Sequence, residues 1–134
     1  MKKFEILEHI TDLKVKVFGR DKKELFQNAI IGMYKGARYK GEDGKIKREI
    51  SVSTSDLPSL FVEFLNELLY LTEIHQELYE TIQFKKFDDR CVKGNLIGKK
   101  LQRMGVLIKG VTYHQLDIRQ RQDGIWEATI LFDI

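Results

Sequence analysis

Proline occurs once in the 134 residues, at Pro58, and cysteine once, at Cys91. The first scarcity leaves no proline-rich linker to divide the chain. The second forbids an intrachain disulfide, so the fold must rest on its core, which suits a reducing, cytoplasmic setting. The three histidines, His9, His75 and His114, stand far apart, and no Cys-x-x-Cys or His-x-x-x-His spacing occurs. A structural zinc site is therefore not expected. No apolar run approaches the ~20 residues that span a bilayer, and Glu5 and Glu8 fall where a secretory leader needs an apolar stretch. Charge of one sign is also in short supply: 23 Lys and Arg against 20 Asp and Glu leave +3. That is too little for a strongly cationic nucleic-acid coat protein, though a local basic patch remains open. No glycine-rich phosphate loop, Ser/His/Asp order or paired catalytic carboxylates appear, which disfavours an independent hydrolase or ligase.

What is present reads as one domain over residues 1–134. Hydrophobic residues make up 43% and charged residues 32%, a globular balance. A chain of this mass should fold to a surface of roughly 7,000 Å². Phe4 to Glu8 reads as a short strand. Leu13, Val15 and Val17 then alternate with Asp12, Lys14 and Lys16, the period of a half-buried strand. Asp21 and Glu24 have capping-box spacing ahead of a helix whose apolar face is Leu25, Phe26, Ala29, Ile30, Met33 and Tyr34, with Gly36 as its stop. Residues 37–48, with Arg38, Lys40, Lys45, Lys47 and Arg48, read as an exposed basic loop. Ile50 to Ser53 follows as a strand. Ser55-Asp56 then offers a second N-cap, with Pro58 in the first turn. From there Leu57, Leu60, Phe61, Phe64, Leu65, Leu68, Leu69 and Leu71 form an apolar face, with Glu63, Asn66, Glu67 and Glu73 outward.

The remainder reads as β structure: Thr81 to Phe87, Arg90 to Leu101, and a hairpin of Val106 to Arg119 and Ile125 to Ile134 around Asp123-Gly124. Strands outnumber helices without regular βαβ alternation. The expectation is an α+β two-layer fold, a mixed, largely antiparallel β-sheet with two long helices on one face.

The last strand places Trp126, Ala128, Ile130 and Phe132 on one face and Glu127, Thr129, Leu131 and Asp133 on the other. If it runs antiparallel to the strand opened by Asp12, three anionic groups meet: the two Asp side chains and the main-chain carboxylate of Ile134. Such oxygens suit a hard cation, Ca²⁺ or Mg²⁺. Spacing alone favours two ordinary surface aspartates. Lys109, after Val106-Leu107-Ile108, reads as a solvent-facing strand residue or a cation for a phosphate or acidic partner. His9 and His114 read as ordinary turn and strand residues.

Three segments together carry a resemblance. Glu8-His9-Ile10-Thr11-Asp12 resembles the Glu-His-Thr-Ala-Asp opening of the archease family. Ser55-Asp56-Leu57 with the helix Val62 to Tyr70 resembles that family's helix motif. Lys109-Gly110-Val111-Thr112-Tyr113-His114 and Phe132-Asp133-Ile134 resemble its Lys-Ala-Val-Thr-Tyr-His and Phe-Asp-Ile signatures. Departures are Ile10-Thr11 for Thr-Ala, Phe64 for a frequent Trp, and Gly110 for Ala. The resemblance implies a non-enzymatic cofactor of the RtcB-type RNA ligase of tRNA splicing. It would promote that ligase's guanylylation and multiple turnover and broaden its nucleotide use. It implies a metal site, usually described as calcium, with Mg²⁺ or Mn²⁺ as alternatives, on Asp12, Asp133 and Ile134, and a role for Lys109 in ligase activation. RNA would be reached only through the ligase complex, with no membrane involved. Two other readings compete: a general chaperone or protein-interaction module, and an RNA-binding module using residues 37–48 and Lys93 to Arg103.

Overall fold

Helix starts are written locally in the chain. Asp21 adopts an extended conformation and its carboxylate accepts the Glu24 N–H at 2.8 Å, opening α1 (Lys22–Gly36). Asp56 does the same for Ser59 at 2.8 Å, opening α2 (Leu57–His75) with Pro58 in its first turn. The computed structural model describes residues 1–7 and 12–134. Its strands are β1 (Phe4–Leu7), β2 (Asp12–Gly19), β3 (Lys40–Gly41), β4 (Ile46–Ser53), β5 (Glu77–Asp88), β6 (Cys91–Arg103), β7 (Gly110–Gln120) and β8 (Trp126–Asp133). His9 and the Glu8–Thr11 part of the opening motif lie outside the described residues.

The α+β class holds, with two long helices and antiparallel strands. The strands divide into two sheets: β1-β2-β8-β7, and a second centred on β6, which bonds β3, β4 and β5. Every pairing among the described residues is antiparallel. Both helices touch strands of both sheets, so the core lies where the helices meet the two sheets. Its joint is Phe26 of α1, whose ring lies 5.0 Å from Phe61, 5.2 Å from Phe64 and 5.0 Å from Phe87. The accessible surface is 7422 Å², close to the scaling expectation.

Several boundaries differ from the sequence reading. Residues 37–48 are not an exposed loop: Ala37 and Tyr39 are buried, Lys40–Gly41 is β3, and β4 already begins at Ile46. α1 does end at Gly36, but the left-handed residue beyond it is Arg38, at φ 59. Gly36 instead makes room for packing, since a Cβ there would meet Leu13 Cδ2 at 3.3 Å. β5 starts at Glu77 rather than Thr81, directly after Gln76 closes α2 at φ 55. The first strand of the last hairpin starts at Gly110 rather than Val106. Val106 donates to Ala37 O at 2.9 Å and Ile108 to Tyr39 Oη at 3.1 Å, which diverts this stretch from the sheet toward the end of α1.

Candidate functional site

Asp12 opens β2 and Asp133 closes β8, and the two are direct cross-strand partners. The register follows from the apolar alternation. Leu13 pairs with Phe132, Val15 with Ile130 and Val17 with Ala128, all toward the core, which sends Asp12 and Asp133 to the opposite face. Gly110 is the partner of Asp133 on its other side, so Asp12, Asp133 and Gly110 form one row across three strands. Directly opposed residues hold their Cβ atoms about 4.5–5.5 Å apart. Asp133 is exposed and Asp12 half-buried. The Ile134 side chain packs against the core, which anchors the main chain just beyond Asp133.

Lys109 belongs to the same end of the molecule. Its backbone N–H donates to Asp133 O at 2.7 Å, tying it to the row. On either side it is held by groups from other elements. Ile108 donates to the buried Tyr39, whose hydroxyl pKa burial raises, keeping it neutral. Val111 is held by Asn66 of α2: Asn66 Oδ1 accepts the Val111 N–H at 2.9 Å, and Nδ2 donates to Val111 O at 3.4 Å. The Asn66 amide thereby substitutes for a neighbouring strand along an edge of β7. The Lys109 side chain is exposed at one end of a cleft of about 410 Å³, whose walls include Tyr70, Met104 and Leu107.

The donor chemistry at this row is oxygen. Two like charges directly opposite on a sheet repel, and a hard divalent cation between them turns that repulsion into ligation. Among the described residues no group of three or more His, Cys, Asp or Glu side chains is placed to hold a metal. The row therefore supplies two carboxylate side chains. These residues fit a Ca²⁺- or Mg²⁺-type ion and not zinc, for which sulfur and imidazole donors are the rule.

Asp12, Asp133, Ile134 and Lys109 are thus neighbours in the fold. His114 is not among them: it is exposed within the irregular part of β7, where the pairing to β8 skips from Thr112 to Asp117. His75 ends α2, exposed. Asn66 and Tyr39 escaped the sequence reading. Asn66 sits among acidic residues on the outer side of a helical pattern, and Tyr39 in a stretch dominated by charge. No local signal marked either, because the backbone groups they bind lie 45 and 69 residues away in sequence.

The chain and its fold have counterparts. Residues 4–134 match the model of the archease protein family (MTH1598/TM1083). The chain belongs to the archease family. It is 32% identical over 142 residues to the protein archease of Methanosarcina acetivorans, covering 99% of this chain and 97% of that one. To the protein archease of Pyrococcus furiosus it is 28% identical, with both chains covered in full. A crystal structure of an archease, a possible chaperone, from Thermotoga maritima superposes with a TM-score of 0.70. It covers 96% of this chain and 94% of that one at 17% identity, a likeness of fold. The solution structure of a Methanobacterium thermoautotrophicum protein gives 0.68 at 25% identity, with both chains covered in full. The archease fold therefore accounts for the whole described chain. No helix among the described residues is long and apolar enough to cross a membrane.

Proposed function

We propose that this archease-family chain activates an RtcB-type RNA ligase of tRNA splicing by presenting its acidic row and Lys109 to the ligase's nucleotide site. The observation that carries the reading is the direct pairing of Asp12 with Asp133, with Lys109 bonded to the same residue. In this reading Asp12, Asp133 and the Ile134 carboxylate hold a divalent cation, Ca²⁺ foremost and Mg²⁺ or Mn²⁺ as alternatives. Such a cation supplies positive charge beside a nucleotide's phosphates. Lys109, a compact ammonium on an exposed stem, reaches a phosphate oxygen from the neighbouring position. Tyr39 and Asn66 fix the backbone on both sides of Lys109, so the partner meets a preorganised group. The chain itself joins no RNA: it promotes guanylylation and turnover by the ligase's own nucleophile and widens the nucleotides the ligase accepts.

Single-turnover guanylylation of the cognate ligase tests this. Wild-type protein is expected to accelerate the step, and Asp133→Ala and Lys109→Ala to lose most of that acceleration. No stimulation by wild type, or full stimulation by Asp133→Ala, overturns the reading.

A second reading, a chaperone or protein-interaction module, is favoured by one observation. Tyr70, Met104 and Leu107, 44–58% exposed, surround the cleft beside Lys109. It predicts broad suppression of aggregation that is indifferent to Asp12 and Asp133.

A further inference from the structure

The pole opposite the acidic row is built from cations. β8 has eight residues, so the seven steps from Asp133 back to Trp126 cover roughly 23 Å at ~3.3 Å each. At that far end Lys22, the first residue of α1, lies 5.1 Å over the Trp126 ring and 2.7 Å from Asp89 in the β5–β6 turn. This contact fastens the turn to the start of α1. Behind the turn, Lys86 of β5 is the direct partner of Lys93 of β6. A ladder irregularity between Phe84 and Lys86 leaves both Lys85 and Lys86 exposed. Arg90, in the turn itself, is exposed as well.

Of the two acids of the turn, only Asp89 pairs with a cation among the described residues. Asp89 pairs with Lys22, and Asp88 Oδ1 accepts the Arg90 N–H at 2.8 Å. Among the described residues Lys85, Lys86, Arg90 and Lys93 form no ion pair. Two lysines directly opposite on a sheet repel unless an anion lies between them. Lys86, Arg90 and Lys93, together with Asp88 and Asp89, line an open depression of about 520 Å³; the Ser53 and Thr54 hydroxyls on its wall donate to Cys91 Sγ and Asp56 O.

We infer that this cationic pole binds the phosphodiester backbone of an RNA strand, without reading its sequence. Protein interfaces carry an apolar centre, whereas nucleic-acid interfaces are polar and positive. None of the exposed large hydrophobics, Met1, Ile6, Tyr70, Ile74, Met104, Leu107 and Tyr113, lines this depression. Lysine and arginine are also the groups that contact phosphate most. The site goes beyond the ligase reading, in which RNA is met only through the ligase complex: here the chain touches RNA itself, at the end remote from Asp133.

Fluorescence anisotropy of an end-labelled single-stranded RNA, titrated with the full chain and no ligase, tests it. Four phosphate contacts give a slope of log affinity on log salt of about −2.8, or roughly 50-fold weaker binding from 50 to 200 mM salt. Lys86→Gln/Lys93→Gln is expected to bind more weakly, with a slope near −1.4 at about 0.7 per contact. Lys40→Gln/Lys45→Gln, with the same change in net charge elsewhere on the surface, is expected to bind like wild type. The inference fails if the first pair leaves affinity and slope unchanged, or if the second pair costs as much. It also fails if polyglutamate of matched charge competes as well as RNA, which would make the ligand an acidic protein. Ligase stimulation is read separately, so either result stands without the other.

Discussion

Truncating Asn66 to alanine removes a side chain by which α2 satisfies the backbone of β7 beside Lys109. Val111 is buried, with a relative exposure of 8%, and its N–H donates to Asn66 Oδ1 at 2.9 Å. The companion bond from Nδ2 to Val111 O, at 3.4 Å, is too long to contribute much. An average hydrogen bond contributes about 1 kcal/mol net, and a buried donor left unpaired adds about 1–3 kcal/mol. Asn66 is half-buried, so water partly replaces the lost acceptor, and the expected cost is about 2 kcal/mol. For a chain of this length that is a fall in Tm of about 6–8 °C. Urea unfolding gives the free energy, and native-state hydrogen exchange locates it: the Val111 amide should lose protection while Ile130, in the middle of β8, keeps its own. Asn66→Asp retains the acceptor and loses only the weak donor, so Val111 protection should largely survive. A loss below about 0.5 kcal/mol in Asn66→Ala, within the range of ordinary surface substitutions, or unchanged exchange at Val111, would refute the edge-capping role.

Phe26→Ala, which removes the ring shared by Phe61, Phe64 and Phe87, is expected to cost about 3–5 kcal/mol in chemical denaturation. Gly98→Ala should destabilise strongly in the same assay, because a Cβ there has no room against the Leu78 carbonyl. Burial alone would raise the pKa of Glu77, but the bidentate Arg48 contacts at 3.0 and 2.8 Å and the Tyr79 hydroxyl at 2.9 Å lower it overall. Its folded pKa therefore lies below the ordinary carboxylate value of 4.5. The stabilisation is present above that value and fades as pH falls through the folded pKa, so acid unfolding should begin at higher pH in Arg48→Met. At neutral pH that variant should lose about 2 kcal/mol, less than the 3–5 kcal/mol of a fully buried pair because the Arg48 side chain is 34% exposed. A tag appended after Ile134 is expected to weaken calcium binding in calorimetry while leaving the unfolding midpoint unchanged.

Much of the frame was legible because it depends on local rules. Asp21 and Asp56 announce their helices by capping chemistry that needs no tertiary contact. The alternation of Leu13, Val15 and Val17 against Phe132, Ile130 and Ala128 fixes which faces of β2 and β8 meet the core, and hence where Asp12 and Asp133 point. What escaped depends on contacts distant in sequence. β3 has two residues and exists only because Arg103 and Leu101 pair with it. Charge at Lys45, Lys47 and Glu49 hid the first half of β4, Ile46 to Glu49, since Arg48 spends its charge on Glu77, 29 residues away. Asn66 looked solvent-facing on the helix pattern because its partner, Val111, lies 45 residues on. The neighbourhood of Lys109 was visible as a motif. The grip of Tyr39, Asp133 and Asn66 around it was not.

Calorimetric calcium titration of the wild-type chain, Asp12→Asn and Asp133→Asn tests most directly whether the acidic row is a metal site. A metal site here binds one ion per chain in the wild type and loses about 10-fold or more in affinity with either substitution, each of which withdraws a charged oxygen donor. Equal affinities for all three proteins, or no binding by wild type in any of Ca²⁺, Mg²⁺ and Mn²⁺, would contradict it.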